Sequence, residues 1–174
     1  MNARLRLIPR IALFAALIYV LSWGTAYLPN VNLVFFIAFI AGVAWGFVPG
    51  ILVGALGMGL WTTFNPFGPA SPPVTLAQVV GTALSGSVGA LFALKRLHHG
   101  SGRLLILSLV IASCLCTLLF YLPVSIVDAW VYQPFWPRFI GGMLWSTVAL
   151  VANAIIFPVL FKPVAFLYKD RRLG

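Results

Sequence analysis

The sequence predicts an all-α, polytopic membrane protein with six transmembrane helices in a compact bundle. Composition is the first observation, since 62% of the 174 residues are hydrophobic and only 7% are charged. Such a balance is typical of chains whose solvent is lipid. The second observation is that the apolar residues form continuous runs instead of alternating with polar ones. Because backbone groups in lipid must bond within their own segment, continuous runs favour helices over a β-barrel.

Six apolar runs, separated by polar or turn-rich breaks, define the predicted helices. Their predicted bounds are residues 8–27, 32–47, 49–63, 76–94, 104–122 and 139–161. A helix needs about 20 residues to cross the hydrocarbon core. We therefore expect the third and shortest helix to thin the membrane or to be shielded by its neighbours. One transmembrane domain then spans residues 1–174.

The individual runs carry further signals. The first follows three arginines and continues to Tyr27, and because no A-x-A-like cleavage site follows, it is interpreted as a helix and not as a signal peptide. Helices two, three and four carry small residues at intervals of four, which let backbones approach closely. These residues are Gly42, Gly46, Gly50, Gly54, Ser85 and Gly89. We expect a closely packed bundle, with the turn between helices two and three at Pro49.

The basic residues predict the orientation. With the N-terminus inside, ten of the eleven Lys and Arg residues fall on the cytoplasmic side and Arg138 alone falls outside. The ten are Arg4, Arg6, Arg10, Lys95, Arg96, Arg103, Lys162, Lys169, Arg171 and Arg172. Both termini are then cytoplasmic. The net charge of +9 is then explained by the orientation of the chain in the membrane, with some attraction to anionic lipid. It does not indicate binding of nucleic acid.

Two long segments fall on the predicted outer face, whereas the other outer connection, "LPNVN", is short. They are "WTTFNPFGPASPPVT", residues 61–75, and "LPVSIVDAWVYQPFWPR", residues 122–138. Proline lacks an amide donor and clashes with the preceding helical turn, so we expect irregular but ordered loops. Loops rich in proline and aromatic residues above a bundle suggest lids over a pocket that opens outward. The alternative is that they only cap helix ends.

Helix one carries a distinct surface feature. Ala12 and Ala16 lie one turn apart in its cytoplasmic half, flanked by Ala15, and form a shallow dent on an otherwise bulky helix. With six helices, both ends inside, a glycine-rich middle and a long outer loop before helix four, the chain resembles the substrate-binding S component of an energy-coupling factor (ECF) transporter. This bacterial family takes up vitamins. The resemblance covers nearly the whole chain.

The resemblance implies a mechanism and partners. In that family the alanine motif contacts a transmembrane T subunit that carries two ATPases, so Ala12, Ala15 and Ala16 become the partner face. The S component captures a vitamin near the outer surface of the bacterial cell membrane, topples, and releases it inside. The chain has no G-x-x-x-x-G-K-[ST] phosphate loop, so ATP is hydrolysed by partner subunits. We expect no cofactor and no metal site of its own, and we expect that the chain is not an enzyme.

The predicted substrate contacts come from the outer half. They are Trp61, Asn65, Gln78, Asp128, Arg138 and Trp145. Flat aromatic walls with a few hydrogen-bonding groups suit a planar heterocycle. For Asn65 and Gln78 the assignment rests on where the family's pocket lies.

Each candidate also has a structural explanation. Tryptophan gathers at membrane interfaces regardless of function. Gln78 follows Thr75 in a T-x-x-Q capping box, and Asn65 before a proline is a common turn initiator. For Asp128 and Arg138 the favoured interpretation is a surface ion pair. Asn153, about 22 Å along helix six from Arg138, is expected to bond a neighbouring helix.

The sequence leaves the substrate and some rival functions open. It contains no glutamate and Asp128 is the only outer acid, which argues against a thiamine-type site. Riboflavin, biotin, cobalamin-related and queuosine-like ligands remain open. The main rival is a structural membrane subunit similar to the rod-shape protein with an S-component-like fold, which would need no pocket. An intramembrane enzyme lacks a catalytic cluster, and an ion-coupled carrier lacks a deep ionisable residue.

Overall fold

The chain is entirely helical in the part that the structure describes. The computed structural model describes residues 3–28, 30–95, 97 and 102–169, with side chains from 7 to 165 of these ranges. Helix accounts for 88% of the structure, with no strand among the described residues. The helices are α1 Ala3–Gly24, α2 Val34–Trp45, α3 Phe47–Phe64, α4 Pro72–Leu94, α5 Gly102–Tyr132 and α6 Phe135–Lys169. Five of them are long and apolar enough to cross a membrane, which indicates a multi-pass membrane protein.

The exception is α2, which is too short to cross alone. Its 12 residues span about 18 Å, against about 30 Å for the hydrocarbon core. The prediction that the third helix would be the short one is wrong, since α3 has 18 residues. The chain turns at Gly46, whose φ of 91° suits glycine, and not at Pro49. Pro49 lies in the first turn of α3, where a missing amide donor costs nothing.

The short helix α2 lies at the centre of the bundle. It contacts each of the other five helices, and α1, α3, α4, α5 and α6 follow one another around it. Residues 34–42 of α2 are all buried. A helix that is apolar on every side is stable only when it is enclosed, and here protein encloses it. The surrounding helices expose large apolar side chains such as Leu13, Ile111 and Val151, as lipid-facing surfaces require.

Three glycines bring α2, α3 and α4 into backbone contact. A Cβ added at Gly50 would lie 2.7 Å from the Cα of Gly42, and one added at Gly42 would collide with the carbonyl oxygen of Gly86. The predicted close approach is therefore found. Gly46, which shares the four-residue spacing, is the turn and has nothing within 4 Å of an added Cβ.

The predicted outer loop at 122–138 is wrong. Helix α5 continues through Pro123 to Tyr132, and only Gln133 and Pro134 connect it to α6. A proline inside a membrane helix removes one backbone bond, which neighbouring helices can tolerate. The irregular part of the other predicted loop is also shorter, residues 65–71, because α3 continues to Phe64 and α4 begins at Pro72.

The two ends of the bundle differ in charge. Arg10, Lys95, Arg103 and Lys162 lie towards the end formed by the starts of α1 and α5 and the ends of α4 and α6, which we call the basic end. Asp128 and Arg138 lie towards the opposite end. Of the other basic positions, Arg96, Arg171 and Arg172, and the side chains of Arg4, Arg6 and Lys169, lie outside the described residues. That the basic end faces the cytoplasm stays a prediction.

Candidate functional site

A cavity lies beside Val34, the first residue of α2, towards the end of the bundle opposite the basic end. Since α2 begins only at Val34, the described residues 25–28 and 30–33, here called the α1–α2 loop, occupy the space that a full-length helix would fill. The inner cavity has a volume of about 300 Å³. Its walls are Ser22, Thr25, Ala26, Leu28, Asn30, Val31, Asn32, Val34, Met58, Trp61, Phe67, Gln78, Phe120, Tyr121 and Val124. Non-helical backbone is tolerated within a membrane bundle where it lines a cavity.

A second, outer cavity adjoins the first between the α1–α2 loop and the α5–α6 hairpin. Its volume is about 420 Å³. Its walls are Asn30, Tyr121, Val124, Ser125, Asp128, Arg138, Gly142 and Trp145. Three of these residues, Asn30, Tyr121 and Val124, also line the inner cavity. The two cavities therefore share a partition.

Asn30 is held in that partition from both sides. Its Nδ2 donates to the carbonyl oxygen of Trp145 at 2.8 Å, and its Oδ1 accepts from the Tyr121 hydroxyl at 3.0 Å. Its backbone has a φ of 56°, a conformation that asparagine adopts more readily than most residues. The two bonds tie the α1–α2 loop to α5 and α6.

Two loops meet over the inner cavity. The Tyr27 ring of the α1–α2 loop contacts the Phe67 ring of the 65–71 segment edge to face, at 6.2 Å between centroids. Asn65 orders that second loop, because its Nδ2 donates to the carbonyls of Thr62 and Gly68 and its Oδ1 accepts from the Phe67 amide. The proline-rich segment thus contributes to the cover through Phe67, and the α1–α2 loop contributes the larger share.

Trp61 and Gln78, two of the predicted contacts, line the inner cavity. Trp61 packs edge-on against Trp23 with 6.4 Å between ring centroids. The predicted capping box of Thr75 and Gln78 is wrong, because α4 begins at Pro72 and both residues lie within the helix. The Thr75 hydroxyl instead donates to the carbonyl of Ala70 at 3.3 Å. The Gln78 carboxamide is left without a hydrogen bond among the described residues.

Asp128, Arg138 and Trp145 line the outer cavity. The Arg138 Nε donates to Asp128 Oδ2 at 3.1 Å, which confirms the predicted ion pair. Both side chains are partly exposed, and the guanidinium also lies 5.0 Å from the centroid of the Tyr132 ring. An exposed pair of this kind contributes about 0–1 kcal/mol to stability. The structure therefore brings five of the six predicted contacts to two adjoining cavities.

Asn65 is the exception among the predicted contacts. It lines neither cavity, and both polar atoms of its carboxamide bond the backbone of its own loop. We assign it to loop structure and not to the ligand. Asn153 also has the role that the sequence indicated, since its Nδ2 donates to Thr117 Oγ1 of α5 at 3.0 Å.

The three alanines of α1 divide into two groups. Ala12 and Ala16 are exposed, whereas Ala15 is only 3% exposed and packs inside the bundle. The exposed pair lies on one side of α1, where a partner helix could reach it. Contact with a partner stays a prediction for that pair, whereas the prediction for Ala15 is wrong, because a side chain buried inside the bundle cannot touch a partner helix.

Sequence reasoning missed Asn30 and Asn32, which both line the inner cavity. The signal available was a pair of asparagines in the short connection "LPNVN" between two apolar runs. A connection of that length normally lies on the surface. Its position in a cavity wall follows only from the short α2 of the structure. Asn32 has a further distinction, because its Oδ1 is shielded from solvent and has no hydrogen-bond partner in the part of the chain that the structure describes.

The comparisons with known proteins give no further identification. No protein-family model matches the chain, no curated protein matches it, and no solved structure matches it.

Proposed function

We propose that the chain is the substrate-binding membrane subunit of an ATP-driven importer of the ECF type. It captures a small, vitamin-like metabolite in the inner cavity and passes it inward with partner subunits that hydrolyse ATP. The observation that carries the proposal is the inner cavity itself, about 300 Å³ in volume and lined by aromatic rings and carboxamides. Its size lies at the lower end of the roughly 300–1,000 Å³ range of ligand pockets.

The position of the cavity supports uptake from outside. It lies at the end of the bundle opposite Arg10, Lys95, Arg103 and Lys162. If the basic end faces the cytoplasm, as the positive-inside rule predicts, the cavity lies near the outer surface. A solute would then enter from the outer face and would need a movement of the whole subunit to leave on the other.

The exposed alanine pair supports the need for a partner. Ala12 and Ala16 lie in the half of α1 nearer the basic end, away from the cavity. Small side chains on an exposed helix face let another helix approach closely within the membrane. The proposed partner is a T subunit that carries two ATPase subunits.

The structural-subunit alternative predicts outer loops packed shut over apolar side chains. The α1–α2 loop instead covers a cavity whose walls combine apolar and polar side chains. Buried polar atoms without a partner do not separate the two functions, because among the described residues Asn32 Oδ1 shares that property with Ser71 Oγ, Ser85 Oγ and Asn153 Oδ1. The cavity therefore favours solute capture over a purely structural role.

The proposal is tested by purifying the chain with native lipid and identifying co-purified small molecules by mass spectrometry. Binding of the identified molecule is then followed by quenching of tryptophan fluorescence. Trp61→Phe should remove most of the quenching, because Trp61 lines the inner cavity. Trp136→Phe is the matched control, since Trp136 is 67% exposed and lines neither cavity. Absence of any bound metabolite across a broad vitamin panel would favour the structural alternative.

The partner surface has its own test. Ala12→Trp and Ala16→Trp should abolish co-purification with membrane and ATPase subunits while leaving ligand affinity unchanged. Val151→Trp is the control, because Val151 is also exposed but lies on α6. Normal co-purification of both alanine variants would remove Ala12 and Ala16 from the partner face.

A further inference from the structure

The inner cavity has no charged side chain in its walls. Its lining consists of apolar, aromatic, hydroxyl and carboxamide groups, without Lys, Arg, His, Asp or Glu among the described residues. Asp128 and Arg138 line the outer cavity beyond Asn30 and are paired with each other. An ion moved from water into such a space loses its hydration and gains no counter-charge. The cavity therefore disfavours anions and cations alike.

Most polar groups of the inner cavity already have partners. The Ser22 hydroxyl donates to the carbonyl of Ile18 at 2.8 Å, and the Thr25 hydroxyl donates to that of Leu21 at 3.0 Å. The hydroxyl of Tyr121 donates to Asn30 in the partition. These groups hold the walls together and offer no free donor.

Two carboxamides in the same cavity remain uncommitted. Among the described residues neither Asn32 Oδ1 nor the Gln78 carboxamide has a hydrogen-bond partner; Gln78 is partly exposed, whereas Asn32 Oδ1 is shielded and must rotate to meet a ligand. Asn32 comes from the α1–α2 loop and Gln78 from α4. A carboxamide presents both a donor and an acceptor, so the pair complements a ligand edge that has both.

The remaining walls combine aliphatic side chains with four aromatic rings. Trp61, Phe67, Phe120 and Tyr121 all line the inner cavity. Phe120 is fixed by Phe35, with 5.0 Å between ring centroids. Aromatic walls favour planar ligands, because stacked or edge-on rings bury large area in a defined geometry.

We infer that the inner cavity selects an uncharged, planar heterocycle with an amide or lactam edge that hydrogen-bonds Asn32 and Gln78. The inference rests on the proposed function and defines the chemical class of its substrate. Rotation of the Asn32 side chain would turn its amide oxygen towards the donor of the ligand edge, and the acceptor of the ligand edge receives a hydrogen from Gln78. The ring lies between the aromatic walls.

Three probes of nearly equal shape separate charge from size. Nicotinamide is neutral, nicotinate is an anion at pH 7.5, and 1-methylnicotinamide is a cation. Each is titrated against the purified chain in lipid nanodiscs, with quenching of Trp61 fluorescence as the readout and Trp61→Phe as the blank. Nicotinamide should bind at least about tenfold more tightly than either ion, since neither ion finds a counter-charge. Equal or tighter binding of an ion, or binding of none of the three, overturns the inference.

Charge substitution at Gln78 sharpens the test. Gln78→Glu should weaken nicotinamide binding and shift the preference towards 1-methylnicotinamide, because it places a carboxylate in the cavity. Gln78→Leu should weaken nicotinamide by about tenfold through loss of a hydrogen bond. Gln133→Glu is the matched control, since the exposed Gln133 side chain bonds the carbonyl of Trp130 and lines neither cavity. An unchanged charge preference in Gln78→Glu contradicts the inference even if Gln78→Leu folds poorly.

The outcomes distinguish failure of the inference from failure of the proposed function. If a metabolite co-purifies with the chain and an ion is preferred in the probe series, the function stands and the inference is wrong. If no metabolite co-purifies and no probe binds, both are wrong.

Discussion

The two halves of the bundle differ in how tightly their backbones pack. In the half nearer the basic end, Gly42, Gly50 and Gly86 bring α2, α3 and α4 so close that no side chain fits between them. Towards the opposite end α2 stops at Val34, and the α1–α2 loop borders two cavities. In one half the backbones therefore pack directly against one another, whereas the other half contains the two cavities.

One short central helix accounts for both the close packing of one half and the cavities of the other. Where α2 is present, it is apolar on all sides and joins every other helix to one core. Where it stops, the outer helices continue without it, and irregular backbone with polar side chains fills part of the gap. Such backbone is tolerated in a membrane bundle where it lines a cavity, as Asn30, Val31 and Asn32 do here. The tight half fixes the positions of the helices that form the walls of the open half.

The largest expected effect comes from filling the tight half. Gly42→Ala places a Cβ against the carbonyl of Gly86, which is backbone and cannot rotate away. We expect a loss of about 1–3 kcal/mol or more, visible as a fall of several degrees in the unfolding temperature in nanodiscs. Gly141→Ala is the control, because nothing lies within 4 Å of its added Cβ. Equal unfolding temperatures of the two variants would show that the close contact does not stabilise the bundle.

Filling the open half should act on binding instead. Ala26→Trp inserts a large side chain into the inner cavity, which Ala26 lines. Because the space is already empty, we expect ligand affinity to fall by about a hundredfold or more, while the unfolding temperature changes little. Isothermal titration with the co-purified metabolite and thermal unfolding measure the two effects separately. A variant that binds normally would place the ligand elsewhere.

The partition between the cavities should show an intermediate effect. Asn30→Ala removes both side-chain bonds and also forces alanine into a positive φ. Asn30→Gly removes the same bonds but tolerates the backbone, so it should be less destabilising by about 1–2 kcal/mol. Hydrogen exchange should rise in residues 25–33 and remain unchanged at the Gly46 turn. Equal stability of the two variants would indicate that the positive φ contributes nothing.

The smallest effect is expected at the surface ion pair of the open half. Arg138→Gln, Asp128→Asn and the double variant form a thermodynamic cycle for the contact at 3.1 Å. Because both side chains are partly exposed, the coupling energy should be below about 1 kcal/mol and should decline with added salt. A larger, salt-independent coupling would show that the pair supports the outer cavity.

Particular residues show where sequence reasoning succeeded and where it did not. The apolar runs and the glycine spacing predicted the helices and the contact of Gly42 with its neighbours, because both depend on composition along one segment. The predicted fifth helix ends before Pro123, whereas α5 continues through it, because neighbouring helices tolerate the lost bond in a long membrane helix. The capping-box alternative for Gln78 fails because α4 begins at Pro72, four residues before its predicted start, and the role of Gln78 as a substrate contact stays a prediction.

The sequence by itself determined that this protein is a helical, multi-pass membrane protein, and its charge pattern divided the polar residues between two ends. These properties follow from the cost of placing unpaired backbone groups and charges in lipid, which each segment must avoid on its own. Only the tertiary structure decided that α2 stops short, that Asn30 and Asn32 line a cavity, and that Ala15 is buried. Those features depend on which surfaces face one another, and that is a property of the packed bundle as a whole.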